Sequence, residues 1–272
     1  MVQAIRLSEL TNKKRANDSR GDDSESDIDI SSTDSETGNG SDQEDEEIVN
    51  IDFDFFNGNP DVDFHAIKNL SRQLLGQQES NRVQLSNLAD LVLKSPTTTI
   101  KTDGQESDPY CFLSFIDYKE NRESDWAKYL HKVDLKLSTF LKTIENNGKT
   151  CALVMSERLI NMPPEVITPL YRITLEDVTN ALGDDKHYDF YAIVSRKYEV
   201  NFDTDETVDR SKKRVKSEEI DYFHEEDRFF EKYAKLHVDS EARKGIISSY
   251  MVMDHQGLIK SIDELEEEIS KW

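Results

Sequence analysis

The chain has 272 residues, 36% of them hydrophobic, enough for one sizeable domain with tails. Asp and Glu total 56 against 34 Lys and Arg, a formal net charge of −22 that disfavours direct contact with nucleic acid or anionic lipid and favours basic proteins. With two cysteines, no Cys-x-x-Cys pair and no apolar run near the roughly 18 residues that span a bilayer, the sequence excludes a disulfide framework, a zinc ribbon and a membrane helix; it predicts a soluble, intracellular chain with no signal peptide.

Residues 1–46 are predicted to be a disordered, acidic, serine-rich tail. From Asn17 to Asp54 fifteen acidic residues face one base, Arg20, while Met1–Ala16 carries Arg6, Lys13, Lys14 and Arg15 against Glu9. Residues 47–272 are predicted to fold. Alternation of Val49, Ile51, Phe53 and Phe55 with polar neighbours predicts a strand over Ile48–Phe56. Asn57-Gly58-Asn59-Pro60 then breaks the chain, and a helix is expected over Val62–Leu75 with Gly76 as its stop.

A second helix is expected over Ser80–Lys94. Thr97–Lys101 and Tyr110–Tyr118 read as strands joined by a turn at Asp103-Gly104. Ser124–Glu145 reads as one long helix ending at Asn146-Asn147-Gly148, and Cys151–Met155 as a central buried strand. Pro163-Pro164 opens another helix, because a first-turn proline lacks only an N–H that has no partner there. Tyr188–Tyr198 is the strongest later strand, and a mobile basic loop is predicted at about 200–217. A helix over Glu225–Ala234, a strand over Ile246–Met253 and a C-terminal helix carrying Leu258, Ile262, Leu265 and Ile269 complete the reading. Helices alternating with strands predict one mixed α/β sheet flanked by helices.

Catalytic signatures are missing: no Gly-x-Ser-x-Gly elbow, no Gly-x-x-x-x-Gly-Lys loop and no Gly-x-Gly-x-x-Gly turn occurs. His224-Glu225-Glu226-Asp227-Arg228 starts like a zinc-protease helix, but Arg228 stands where the second His is needed. An acyltransferase would hold its donor pyrophosphate on free N–H groups at a helix start. The nearest approach to that motif, Gln73-Leu74-Leu75-Gly76-Gln77-Gln78, has Gln78 in place of a small residue and ends a helix. No catalytic, cofactor-binding or metal-binding residue is therefore assigned, and the chain is read as a non-enzyme.

Lys212, Lys213, Arg214 and Lys216 match the short pattern read by a nuclear import receptor, with Lys13, Lys14 and Arg15 as a second basic cluster; either run can also be plain solvated charge. Leu85, Leu88, Leu91 and Leu93 have the spacing of a leucine-rich export signal, which is also the spacing of an amphipathic helix packed on a sheet. Ser24, Ser26, Ser31, Thr33 and Ser41 each have an acid three residues on, the form an acid-directed kinase prefers, and phosphorylation there would deepen the field.

Several blocks go beyond composition. Leu153–Val166 contains Ser-Glu-Arg-Leu-Ile-Asn-Met-Pro-Pro, and with Ile48–Phe56, Ser95–Asp103 and His224–Ala234 it resembles the BCCIP family, on its fungal side, from about Ile48 to Trp272. The resemblance implies a single domain similar to the GNAT acetyltransferase fold without a donor-binding loop or activity. It also implies a protein shuttling between nucleus and cytoplasm that escorts a basic large-subunit ribosomal protein and supports nuclear export of a phosphatidylinositol phosphate kinase. An acetyltransferase-like enzyme and a general histone-type acidic chaperone remain as alternatives.

Overall fold

The computed structural model describes residues 51–183, 186–200 and 219–271. Its β-branched and aromatic runs build one mixed sheet of eight strands, ordered β1-β2-β3-β4-β5-β8-β7 with β6 added beside β5. The strands are β1 (Asp54–Asn57), β2 (Thr97–Lys101), β3 (Cys111–Asp117), β4 (Cys151–Arg158), β5 (Phe190–Val200), β6 (Glu219–Tyr222), β7 (Leu236–Asp239) and β8 (Ile246–Asp254). The helices are α1 (Phe64–Glu79), α2 (Leu85–Lys94), α3 (Asp125–Val133), α4 (Leu135–Asn146), α5 (Ile167–Leu182), α6 (Glu226–Tyr233) and α7 (His255–Ile269). The predicted tail over 1–46 and nearly all of the predicted loop over 200–217 lie outside the described residues.

Side chains alternate across a strand, so the central strands β2 to β5 and β8 bury two sets. One face, with Phe112, Ile116, Leu153, Met155, Ala192, Val194 and Val252, packs under α1 to α4. Leu113, Phe115, Val154, Ile193 and Met251 point to the other face, where Phe115 meets Tyr171 of α5 edge to face. Leu258, Ile262, Leu265 and Ile269 of α7 are all buried, as their spacing predicted. Cys111 and Cys151 are both buried and unpaired, and burial pushes both thiols up.

Three expectations need correction. Strand β1 covers only Asp54–Asn57, because β2, its sole partner among the described strands, ends opposite Asp54 at Lys101, and Ile51 beyond that point is 47% exposed. The helix expected over Ser80–Lys94 is a short 3₁₀ turn at Ser80–Arg82 followed by α2, since Val83 and Gln84 are extended and Val83 turns into the core. The single helix expected over Ser124–Glu145 is two, α3 and α4, broken at Asp134 (φ −150°, ψ 146°). Gly76 (φ 69°) interrupts α1 as expected of a stop, and Gly104 (φ 86°) supplies the turn after β2.

Asp134 leaves the helix because its carboxylate accepts the free N–H groups of Lys136 at 2.6 Å and Leu137 at 3.2 Å. That exchange caps α4 and lets the chain turn onto the sheet. Asp134→Ala is expected to cost about 1 kcal/mol, measured by urea unfolding, with Asp134→Asn close to wild type. An unchanged midpoint for the alanine variant would remove the cap from the account.

A fully buried ion pair anchors the other end of the sheet. Lys101 Nζ lies 2.7 Å from Asp63 Oδ1, both side chains 0% exposed, and donates to Gln105 O at 2.5 Å. Asp63 Oδ2 accepts the Asn59 N–H at 2.8 Å. The pair ties the approach to α1 to the end of β2.

Candidate functional site

Strands β4 and β5 are the one parallel pair among the described strands, paired only from Cys151↔Phe190 to Val154↔Ile193. In an open α/β sheet the crevice beyond the carboxyl ends of such a pair is where a ligand is usually held. Beyond Val154 and Ile193, β5 parts from β4 and takes β6 as its neighbour, from Lys197↔Tyr222 to Val200↔Glu219. A crevice is thereby built, and alternation sends Glu157 and Arg196 to the α1 face and Arg158 and Ser195 to the α5 face.

Both sides of that crevice are filled by charge. On the α1 face Arg196 Nη2 donates to Glu157 Oε1 and Oε2 at 3.0 and 3.1 Å. Glu157 Oε1 also receives Gln73 Nε2 and His224 Nε2, each at 2.8 Å. The Arg196 guanidinium stacks 4.5 Å from the Phe223 ring. On the α5 face Arg158 grips Glu226 with two bonds of 3.0 Å, from Nε and Nη2, and its Nη1 donates to Met162 O at 2.7 Å. Ser195 Oγ donates to Asp227 Oδ2 at 2.5 Å. Glu157, Arg158, Arg196, His224, Glu226 and Asp227 are all buried.

The environment sets their protonation. Burial alone would raise Glu226, but the Arg158 guanidinium outweighs it and keeps that carboxyl below the usual range. Burial opposes a charged imidazole on His224, yet the Glu157 carboxylate at Nε2 holds its pKa above the ordinary value. Asp227 has no cation of its own, and burial beside the Glu226 carboxylate pushes it up to about 7. Two guanidiniums face three carboxylates, so one proton on Asp227 or His224 neutralises the cluster.

Outside the cluster lies an open concavity of about 770 Å³, bordered by Arg158, Met162, Phe223, Glu225, Arg228 and Phe229. Above it Ile160 is 72% exposed, in the turn that follows β4. Arg158 is held by Glu226 and Arg228 by Asp221 at 2.5 Å, so neither guanidinium is a free anion-binding group. Among the described residues no group of three His, Cys, Asp or Glu could hold a metal, and no helix is long and apolar enough to cross a membrane.

Lys13, Lys14, Arg15, Lys212, Lys213, Arg214, Lys216, Ser24, Ser26, Ser31, Thr33 and Ser41 lie outside the described residues. The leucines lie on α2, where Leu88 is buried and Leu85, Leu91 and Leu93 pack against the same core. A receptor could take all four only if α2 left the sheet. Sequence reading missed the ion cluster, although a signal was present. Arg196-Lys197 sits inside a predicted strand and Glu157-Arg158 follows an apolar run, and charges in buried strands require partners.

The BCCIP family model matches residues 48–230, which includes every member of the cluster. The chain belongs to the BCCIP family. Protein BCP1 of Saccharomyces cerevisiae is 70% identical over 283 residues, with the whole of both chains covered. Protein BCP1 of Candida glabrata is 69% identical over 278 residues, again over the whole of both. The crystal structure of BCP1 from Saccharomyces cerevisiae aligns with a TM-score of 0.74 at 70% identity, covering 85% of this chain and 95% of that one. An agmatine N-acetyltransferase aligns at 9% identity and a TM-score of 0.34, too weak a likeness to speak to an acetyltransferase-type arrangement. In this BCCIP-family chain the place where the sheet would open for a ligand holds the protein's own ion pairs.

Proposed function

We propose that this BCCIP-family chain is a non-enzymatic nuclear chaperone and transport adaptor. Its client is a basic ribosomal protein of the large subunit, and it supports ribosome biogenesis and nuclear export of a phosphatidylinositol phosphate kinase. A nuclear import receptor reads Lys212, Lys213, Arg214 and Lys216, so that the protein shuttles between nucleus and cytoplasm. The observation that carries the reading is the carboxylate excess, 56 against 34, concentrated where fifteen acids face one base between residues 17 and 54. A ribosomal protein bears Lys and Arg to meet RNA phosphates, and before assembly those groups would bind any polyanion. Carboxylates mimicking phosphate cover them and speed capture, and rRNA, a stronger polyanion, displaces the chaperone.

The plugged crevice speaks against the acyltransferase alternative, since a donor would have to displace two buried guanidiniums and their carboxylates. The acidity fits a general histone chaperone equally well, and a parallel capture separates the two. Immobilised full-length chain is expected to retain one large-subunit ribosomal protein in preference to histones, with affinity falling about tenfold or more as salt rises and exposed charges are screened over about 8–10 Å. Equal retention of histones would support the general chaperone, and loss of both at low salt would remove the reading.

A further inference from the structure

Among the described strands β7 ends the sheet and pairs with β8 alone. The Ser240 N–H donates to Ser248 O, so antiparallel alternation turns the backbone groups of Leu236 and Val238 toward β8 and those of His237 and Asp239 toward the open edge. Beside the start of this edge runs a groove of about 470 Å³ between β7 and the outer face of α4. Its floor is Leu135, Phe140 and Leu236, and Leu135 is 81% exposed, more than any other large apolar residue described. Lys136 and Lys235 border it, with no carboxylate in the lining. Lys235 is paired with Asp254 at 2.5 Å, whereas Lys136 has no ion-pair partner among the described residues. Two other concavities, by contrast, include Glu225 and Glu268, or Glu123 and Glu145.

We propose that this groove docks an extended acidic segment of a partner protein, which adds a strand to the open edge of β7, sets an apolar side chain against Leu135, Phe140 and Leu236, and places a carboxylate beside Lys136. An unpaired strand edge supplies main-chain bonds and an adjacent pocket supplies selectivity, the recurring logic of strand addition. The apolar floor favours a peptide over a phosphate polymer, and the lysine border in a chain of net charge −22 favours an acidic one. The site is of opposite sign to the surface that takes a basic client, and it does not depend on that reading.

The test uses the full chain and two fluorescein-labelled peptides, one alternating Glu with Leu and one alternating Lys with Leu, read by fluorescence anisotropy. The acidic peptide is expected to bind and the basic one not. Leu135→Asp and Lys136→Glu should each weaken the acidic peptide by about tenfold, a difference of about 1.4 kcal/mol. Leu135 is too exposed for its substitution to unfold the domain, and Arg72→Glu on α1 should leave binding unchanged. Amide exchange at His237 and Asp239 should slow when the peptide is bound. Equal binding by wild type and Leu135→Asp, indifference to peptide charge, no binding, or unprotected amides at His237 and Asp239 would overturn the proposal. So would a dimer in sedimentation that Leu135→Asp disperses, since a second copy would then own the edge.

Discussion

Arg158→Ala is expected to lower the unfolding free energy by about 3–5 kcal/mol, the largest single effect anticipated in this domain. The substitution removes two bonds to Glu226 and one to Met162 O, and it strands the Glu226 carboxylate in a buried site with Asp227 next to it. A buried carboxylate without its cation carries the full cost of desolvation, which the guanidinium had offset. Against a typical total of about 5–15 kcal/mol, the loss takes a large fraction of a domain's stability. Most of that cost belongs to the abandoned partner. The double variant Arg158→Met with Glu226→Leu should therefore recover to within about 1–2 kcal/mol of wild type, since well-packed apolar pairs often replace buried ion pairs at little cost. Urea unfolding of wild type, Arg158→Met, Glu226→Leu and the double variant closes the cycle. If the double variant were as unstable as the two single losses added together, the pair would be contributing through something other than mutual neutralisation.

The second prediction concerns pH. Asp227 titrates at about 7 in the folded chain against an ordinary value of 3.8, so between those limits the folded state holds a proton that the unfolded state has lost. Stability from this group therefore falls as pH rises across the window. His224 acts in the same direction. Its folded pKa lies above 6.5, so its contribution is present in full below that value and is lost as pH climbs through the folded one. The paired carboxylates Glu79, Asp239 and Asp254 are shifted down, and their contributions disappear only on the acid side, below their ordinary 4.5 or 3.8. Between pH 5 and 8 the cluster dominates. Wild type is expected to lose on the order of 2 kcal/mol across that range, while Asp227→Asn, which keeps the shape and the bond from Ser195, should show a clearly shallower slope, with His224 alone of the cluster left to titrate. Parallel slopes for the two proteins would place the titrating proton elsewhere.

The sheet was legible because its strands are long enough to average out exceptions. Cys151–Met155, Tyr188–Tyr198 and Ile246–Met253 each carry four or more apolar residues, and each falls within a strand, apart from the first two residues of the second. Strands β6 and β7 were missed because four residues each, Glu-Ile-Asp-Tyr and Leu-His-Val-Asp, give alternation too little length to register. The break at Asp134 was hidden by good helix formers on both sides, and only the cap reveals it. The pairing within the crevice cluster was illegible for a different reason. Arg158 and Glu226 stand 68 positions apart, and no local pattern says which carboxylate meets which guanidinium until β5 has parted from β4. Family resemblance located the segments that carry it, Leu153–Val166 and His224–Ala234, without showing why they belong together.

The two thiols have a practical consequence. Cys111 and Cys151 stand on neighbouring antiparallel strands with their sulfurs sealed from solvent and reluctant to ionise, so a thiol reagent such as a maleimide finds no accessible native cysteine while the domain stays folded. A cysteine engineered on the surface would be labelled alone, with the wild-type background left in place, and any labelling of the unaltered chain would report an opening of the sheet itself.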